Sequence, residues 1–403
     1  MKLKELTRQG SVQAELRCRT LRVLLLCSRA CPVPDMAEQI RHLLQEGIDW
    51  DYLLRLAFGN GVAQLVYWQL NTACSDRVPT AILDTLKAHF FENTERNLLL
   101  TGELLKLLAL LGGEGIPAVS IKGPVLAASV YGNLSFRRFE DLDLLVRRQD
   151  FLRARDLIVS RGYQPGIPIS GVPSPEVLRE SILTCNERRI SVDLTWGITS
   201  GFCAFRRSLT DLWRRLRTNS LAGHRVLDLA PEDLLLVLCA HGNKHLWARL
   251  GWICDVAELI RVQRKMDWGW IMRQARTLGT ERMLLLGLYL ARGLLGAELP
   301  REAAKRAESD AAVKFLAGQV CRYLFHEAHN PSSGLLGCLF HLHARERLQD
   351  RIRYCLDFLM IPTAGDRNLL RLPVGLSFLN YPLRPIRLLG KFALNPAKHL
   401  FEN

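Results

Sequence analysis

Ile190-Ser191-Val192-Asp193-Leu194-Thr195-Trp196 alternates strictly, with Ile190, Val192, Leu194 and Trp196 on one face and Ser191, Asp193 and Thr195 on the other. A period of two over seven residues is that of a β-strand with one buried face. Upstream, Leu142 to Val146 reads as a second strand, and the two aspartates at 141 and 143 fall on one face while Leu142 and Leu144 point to the core. Between these two strands, Gln149 to Arg161 has a helical pattern that Gly162 should close as a left-handed cap, and Tyr163 should re-enter the sheet. Residues 165 to 175 are rich in Pro, Gly and Ser and predict a surface loop.

Further upstream, Gly112, Gly113, Gly115 and Pro117 break a helix ahead of a short strand, Ala118 to Ile121, and a helix from Pro124 to Tyr131. Residues 112–228 are therefore expected to form a small mixed β-sheet core. On the N-terminal side, residues 1–111 are helical: apolar residues recur at three and four positions through Ile40 to Leu44, Leu53 to Leu56, Val62 to Leu70 and Leu98 to Leu111. On the C-terminal side, residues 229–403 carry helices at Asp233 to His245, Trp252 to Val262, Trp268 to Thr277, Arg282 to Leu295 and Ala303 to Phe325, then a proline-bearing tail expected to run extended. The apolar part of that tail, Leu369 to Leu389, suits a core, a second subunit or a membrane surface. The fold class is α+β, a mixed sheet between two helical segments.

The chemistry concentrates on the sheet. Asp141 and Asp143 are close enough to share one cation, and a divalent ion with oxygen ligands relieves their mutual repulsion. Asp193 is the one acidic residue on the polar face of its strand, and a neighbouring strand about 4.8 Å away brings it within reach as a third ligand. Three carboxylates are what two-metal phosphoryl transfer needs. Lys122 and Gly123 end a strand where Pro124 opens a helix, an arrangement suited to an anion because free backbone N–H groups and the positive helix end converge there. Arg138 is expected to reach the same phosphates. The plain alternative is that Asp141 and Asp143 pair with arginines on a solvated edge.

Ile121-Lys122-Gly123, Tyr131, Arg138, Asp141-Leu142-Asp143-Leu144-Leu145-Val146, Gly162-Tyr163 and Val192-Asp193-Leu194-Thr195-Trp196, in that order, resemble the uncharacterised nucleotidyltransferases of the DNA polymerase beta superfamily. A Lys-Gly pair stands in this group where other members have Gly-Ser. The resemblance extends to Ile48-Asp49-Trp50-Asp51 and to His241, Lys244, His245, Arg249 and Asp255, covering most of residues 40 to 265. It implies transfer of a nucleoside monophosphate from an NTP to an acceptor, with Mg²⁺ or Mn²⁺ on Asp141, Asp143 and Asp193 and nucleotide contacts from Lys122, Gly123 and Arg138. The acceptor is open among a small molecule, a protein and an RNA. A non-catalytic member of the same fold, binding a nucleotide or a protein, is the alternative.

His241 and His245 stand i, i+4 on a helix, but Gly242 follows the first where a zinc metalloprotease needs Glu. With Lys244 and Arg249 they make a polar face expected to pack on the core or meet substrate. The tryptophans at 196, 247, 252, 268 and 270 are read as core or interdomain packing, with base-stacking platforms as the alternative. No GxxxxGK[ST] loop, strand-linked GxGxxG or GxSxG elbow occurs, which argues against P-loop, dinucleotide-binding and serine-hydrolase chemistry.

In 403 residues, 48% hydrophobic, there is material for more than one core. The net charge of +14 favours anionic partners. No Lys/Arg run interleaved with aromatics marks an RNA-binding module. Eleven cysteines without a CxxC pair suit a reducing, cytoplasmic setting. Val23 to Cys27 is too short for a signal core or membrane span, and Glu103 and Lys106 interrupt Leu98 to Leu111, so no integral membrane segment is expected.

Overall fold

A computed structural model describes residues 12–31, 35–166, 180–197, 209–325, 335–360 and 384–385. Most of the anticipated loop at 165–175, and the C-terminal tail apart from Arg384 and Pro385, lie outside them. The architecture is α+β. Five strands form one mixed sheet: β1 (Ala118–Ser120), β2 (Leu142–Val146), β3 (Gln164–Pro165), β4 (Glu180–Cys185) and β5 (Ile190–Thr195), in the order β1-β2-β5-β4-β3. Only the central pair, β2 with β5, is parallel. A separate hairpin joins β6 (Arg217–Leu221) to β7 (His224–Asp228). Its turn residues Ala222 and Gly223 both have positive φ, the conformation of a tight type I′ connection.

Burial follows the alternation that the sequence displays: Ile190, Val192 and Leu194 are buried, as are Leu142 and Leu144. The sheet core is closed by Leu100, Leu104, Leu107 and Leu111 from a 34-residue helix, Thr80–Gly113. The same helix carries Leu86 and Phe90 into a second and larger apolar cluster, which also contains the N-terminal helices and those after Pro231. The two helical segments that flank the sheet in sequence thus share one interior. Among the described residues every cysteine is a free thiol, and no helix is long and apolar enough to cross a membrane.

Three details differ from the sequence reading. The helix expected over Gln149 to Arg161 is confined to Phe151–Val159, after a 3₁₀ turn at Arg148–Asp150. Gly162 does adopt positive φ, but beyond the helix end, and Tyr163 precedes the strand, its ring buried and its hydroxyl donating to Glu103 Oε1 at 3.0 Å. The single helix expected over Ala303 to Phe325 is two, Arg301–Ser309 and Ala311–Phe325. Asp310 divides them because its carboxylate accepts from the backbone N–H groups of Ala312 (2.8 Å) and Val313 (3.2 Å), a competing local bond that starts a new helix.

The loop between Gly132 and Asp141, which leads into β2, is held by side-chain amides. Asn97 Nδ2 donates to the carbonyls of Leu134 (2.6 Å) and Arg137 (2.8 Å), Asn93 Nδ2 to Ser135 O (3.0 Å) and Gln64 Nε2 to Phe136 O (3.1 Å). Asn93 and Asn97 lie on the apolar stripe of the long helix at the spacing a core leucine would have. Their burial is offset only because they satisfy loop carbonyls. Asn97→Ala orphans two of these carbonyls and should cost about 2 kcal/mol, with the loss visible in chemical denaturation.

Candidate active site

The β2–β5 register sets Asp143 directly opposite Asp193, with Leu142 against Val192 and Leu144 against Leu194 on the core side. Asp141 stands one residue before the first paired position of β2 and lines the same cavity as Asp143. The three carboxylates load one another. Burial foremost, then the charge of Asp143, raises the Asp141 carboxyl, with Lys122 and Arg137 pulling the other way. Asp193 is pushed up to about 7, by burial first and then by Asp141, Asp143 and Glu180. A cation among these oxygens would remove the repulsion that raises both groups.

Lys122 occupies part of that role. Its ammonium lies 3.1 Å from Asp143 Oδ2 and 3.2 Å from His241 Nδ1. The chain turns at Gly123, whose φ of +60° is disfavoured for any residue with a Cβ, and Pro124 follows in the first turn of the Gly123–Tyr131 helix. Arg138 pairs with Glu140 at 2.8 Å, and both are open to solvent, so the pair costs little to separate.

Over these residues opens a cavity of about 560 Å³. Its sheet-side wall is Lys122, Gly123, Arg138, Asp141 and Asp143, and its helical wall is His241, His245, Arg249 and Trp252, with Gly59 and Tyr323 also in the lining. The structure thus brings together most of the residues singled out in the sequence. Asp193 and Lys244 are not on the cavity wall. Asp193 meets the site through its register with Asp143, and Lys244 acts on the two histidines through its charge. Among the described residues, no three His, Cys, Asp or Glu side chains form a ready metal-binding group.

Both histidines are neutral at physiological pH. His241 is held well below the usual imidazole range by burial and then by Lys122, and His245 is lowered to about 4 by burial and then by Lys244 and Lys122. Gly242 between them has a packing reason: a Cβ there would come within 2.5 Å of the fully buried Trp247 ring.

Arg137 is the site residue that the sequence reading passed over in favour of its neighbour. Its Nε and Nη2 donate to the two oxygens of Asp255 at 2.8 and 2.9 Å, and Tyr131 Oη donates to the same carboxylate at 2.7 Å. All three are buried. Tyr131 and Asp255 stand out in the sequence without a partner, and the doublet Arg137-Arg138 gives no sign of which guanidinium turns inward.

A family model described as "Uncharacterised nucleotidyltransferase" matches residues 46–296, more than half of the chain. No curated protein and no solved structure matches it.

The raised Asp193 carboxyl has a consequence for stability. A carboxyl with a folded-state value above its unfolded value favours the native state below about pH 4, and that contribution is lost as pH rises through about 7. In EDTA, Asp193→Asn should therefore gain on the wild type by ~1–2 kcal/mol between pH 4 and pH 8, allowing for solvent screening of a half-buried group. Paired denaturation curves at the two pH values check this.

Proposed function

This chain belongs to the uncharacterised nucleotidyltransferase family, and from that premise we propose that it transfers a nucleoside monophosphate from an NTP to an acceptor hydroxyl. The observation that carries the reading is the set Asp141, Asp143 and Asp193 on the parallel strand pair, beside a cavity whose wall includes Lys122, Gly123 and Arg138.

Carboxylates are the donors a hard divalent ion takes, and two of these three are raised by burial first and then by mutual repulsion, which a bound ion would relieve. Asp141, Asp143 and Asp193 are the residues that would hold Mg²⁺, with Mn²⁺ as an alternative. The ions would supply Lewis-acid stabilisation of the phosphates and of the departing pyrophosphate. Lys122 and the N–H groups opening the Gly123–Tyr131 helix bind the triphosphate. Lys122 exchanges its contact with Asp143 for a phosphate oxygen, while Arg138, loosely tied to Glu140, swings onto the same group. The acceptor oxygen attacks the α-phosphorus in line, the bond to pyrophosphate breaks, and the hydroxyl proton passes to Asp193.

The Lys122–Asp143 contact favours one competing reading, a non-catalytic member that uses the ammonium in place of a metal. Asp141→Asn and Asp143→Asn decide between them. Each should keep the fold and lower Mg²⁺-dependent pyrophosphate release by at least about a hundredfold, the scale on which loss of an electrostatic contact to the reacting group acts. Calorimetry with a non-hydrolysable NTP analogue gives a second readout, in which metal-dependent binding should disappear. Nucleotide binding that is indifferent to Mg²⁺ and to both substitutions would establish the non-catalytic reading.

A further inference from the structure

The cavity wall is of two chemical kinds, which meet where the Lys122 ammonium lies 3.2 Å from His241 Nδ1. One carries full charges, with Lys122, Asp141 and Asp143 facing one another. The other carries aromatic rings: Trp252 has the ring of His241 edge-on at 5.4 Å and that of His245 tilted at 5.2 Å, and Ala248 and Tyr323 complete the wall. Because both imidazoles are neutral, this part offers flat surface and single hydrogen bonds where the other offers charge. Nothing in the phosphate chemistry described above uses it.

A second cleft of about 390 Å³ lies beyond the Arg138–Glu140 ion pair. It shares Arg138, Phe139 and Glu140 with the first cavity and is otherwise lined by the long Thr80–Gly113 helix. The larger cavity is thus one space running from charged to aromatic, of a size ordinary for a single small ligand. The smaller cleft leaves separate room for an acceptor.

We infer that Trp252, framed by His241 and His245, is the platform on which the nucleobase of the NTP stacks, so that one nucleotide spans the 560 Å³ cavity from the carboxylates to the aromatic end. A base is the part of a nucleotide that gains from a flat aromatic wall, since every base has a π-face and stacking requires no sequence of hydrogen bonds. Arg249 holds its guanidinium over the Trp252 ring, 5.9 Å from the centroid, so a stacked base would share the ring with a cation–π contact. This inference rests on the nucleotidyl-transfer reading and adds to it the position of the base.

The experiment compares two probes in the presence of Mg²⁺, inorganic tripolyphosphate and the α,β-methylene analogue of ATP, on wild type, Trp252→Ala and Trp252→Phe. Tripolyphosphate reports the charged end alone. The wild type should bind the nucleotide at least about tenfold more tightly than tripolyphosphate. Trp252→Ala should lower nucleotide affinity by about fivefold or more, the loss expected for one stacked base, with tripolyphosphate affinity unchanged within about twofold. Trp252→Phe should recover most of the loss. If Trp252→Ala weakens both probes equally, the tryptophan is merely structural and the inference fails. It fails also if neither probe responds to the substitution. Binding of neither probe by the wild type would defeat the nucleotidyl-transfer reading itself, and the base platform with it.

Discussion

Asp255 accepts three hydrogen bonds in a place almost closed to water: two from the Arg137 guanidinium and one from the Tyr131 hydroxyl. Its carboxylate belongs to the Leu250–Val262 helix, Tyr131 ends the helix that Gly123 begins, and Arg137 lies in the loop that enters β2. A buried ion pair of this kind adds little net stability over an apolar replacement. Removing one partner, however, strands a charge at a cost of about 3–5 kcal/mol. Such groups act chiefly by making alternative packings expensive. Here they couple both cavity walls: the helix after Trp252 cannot shift against the loop bearing Arg138 without breaking a bidentate contact.

A second layer of constraint is polar and local. Asn93, Asn97 and Gln64 convert carbonyls that would otherwise be buried unpaired into fixed anchor points for residues 134 to 137. Their effect is positional. The loop that delivers Arg138 and Asp141 contains little regular structure of its own, so its geometry is borrowed from the Thr80–Gly113 and Ala63–Cys74 helices. The helical segments flanking the sheet thereby shape the site, while its carboxylates come from the sheet. Gly242 and Gly287 play a related part by making room for Trp247, whose ring fills the interior behind the two histidines.

Electrostatics inside the site follow from this rigidity. Three carboxylates and one ammonium are held where they cannot relax apart, so burial and mutual repulsion appear as raised carboxyls at Asp141 and Asp193. The neighbouring imidazoles move the other way because burial and nearby cations both disfavour their charged form. The site is therefore polarised within a short distance: repelling anions on the sheet, neutral rings on the helices, and Lys122 between them.

What the sequence determined alone is local and periodic. The alternation at Ile190 to Trp196 and at Leu142 to Val146, the Gly-Pro step after Lys122, and the three- and four-residue spacing of apolar positions each depend on near neighbours, so strands, helices and the facing of Asp141, Asp143 and Asp193 could be read directly. Local chemistry also hid one feature: Asp310 as a helix cap was lost inside a longer apolar pattern. Tertiary structure alone decided that β2 and β5 run parallel in the register opposing Asp143 to Asp193, that Arg137 rather than Arg138 turns inward, and that Lys122 meets His241 across 119 positions of chain. Those choices depend on which distant groups arrive to satisfy a buried charge, and no periodicity in a single segment records that arrival.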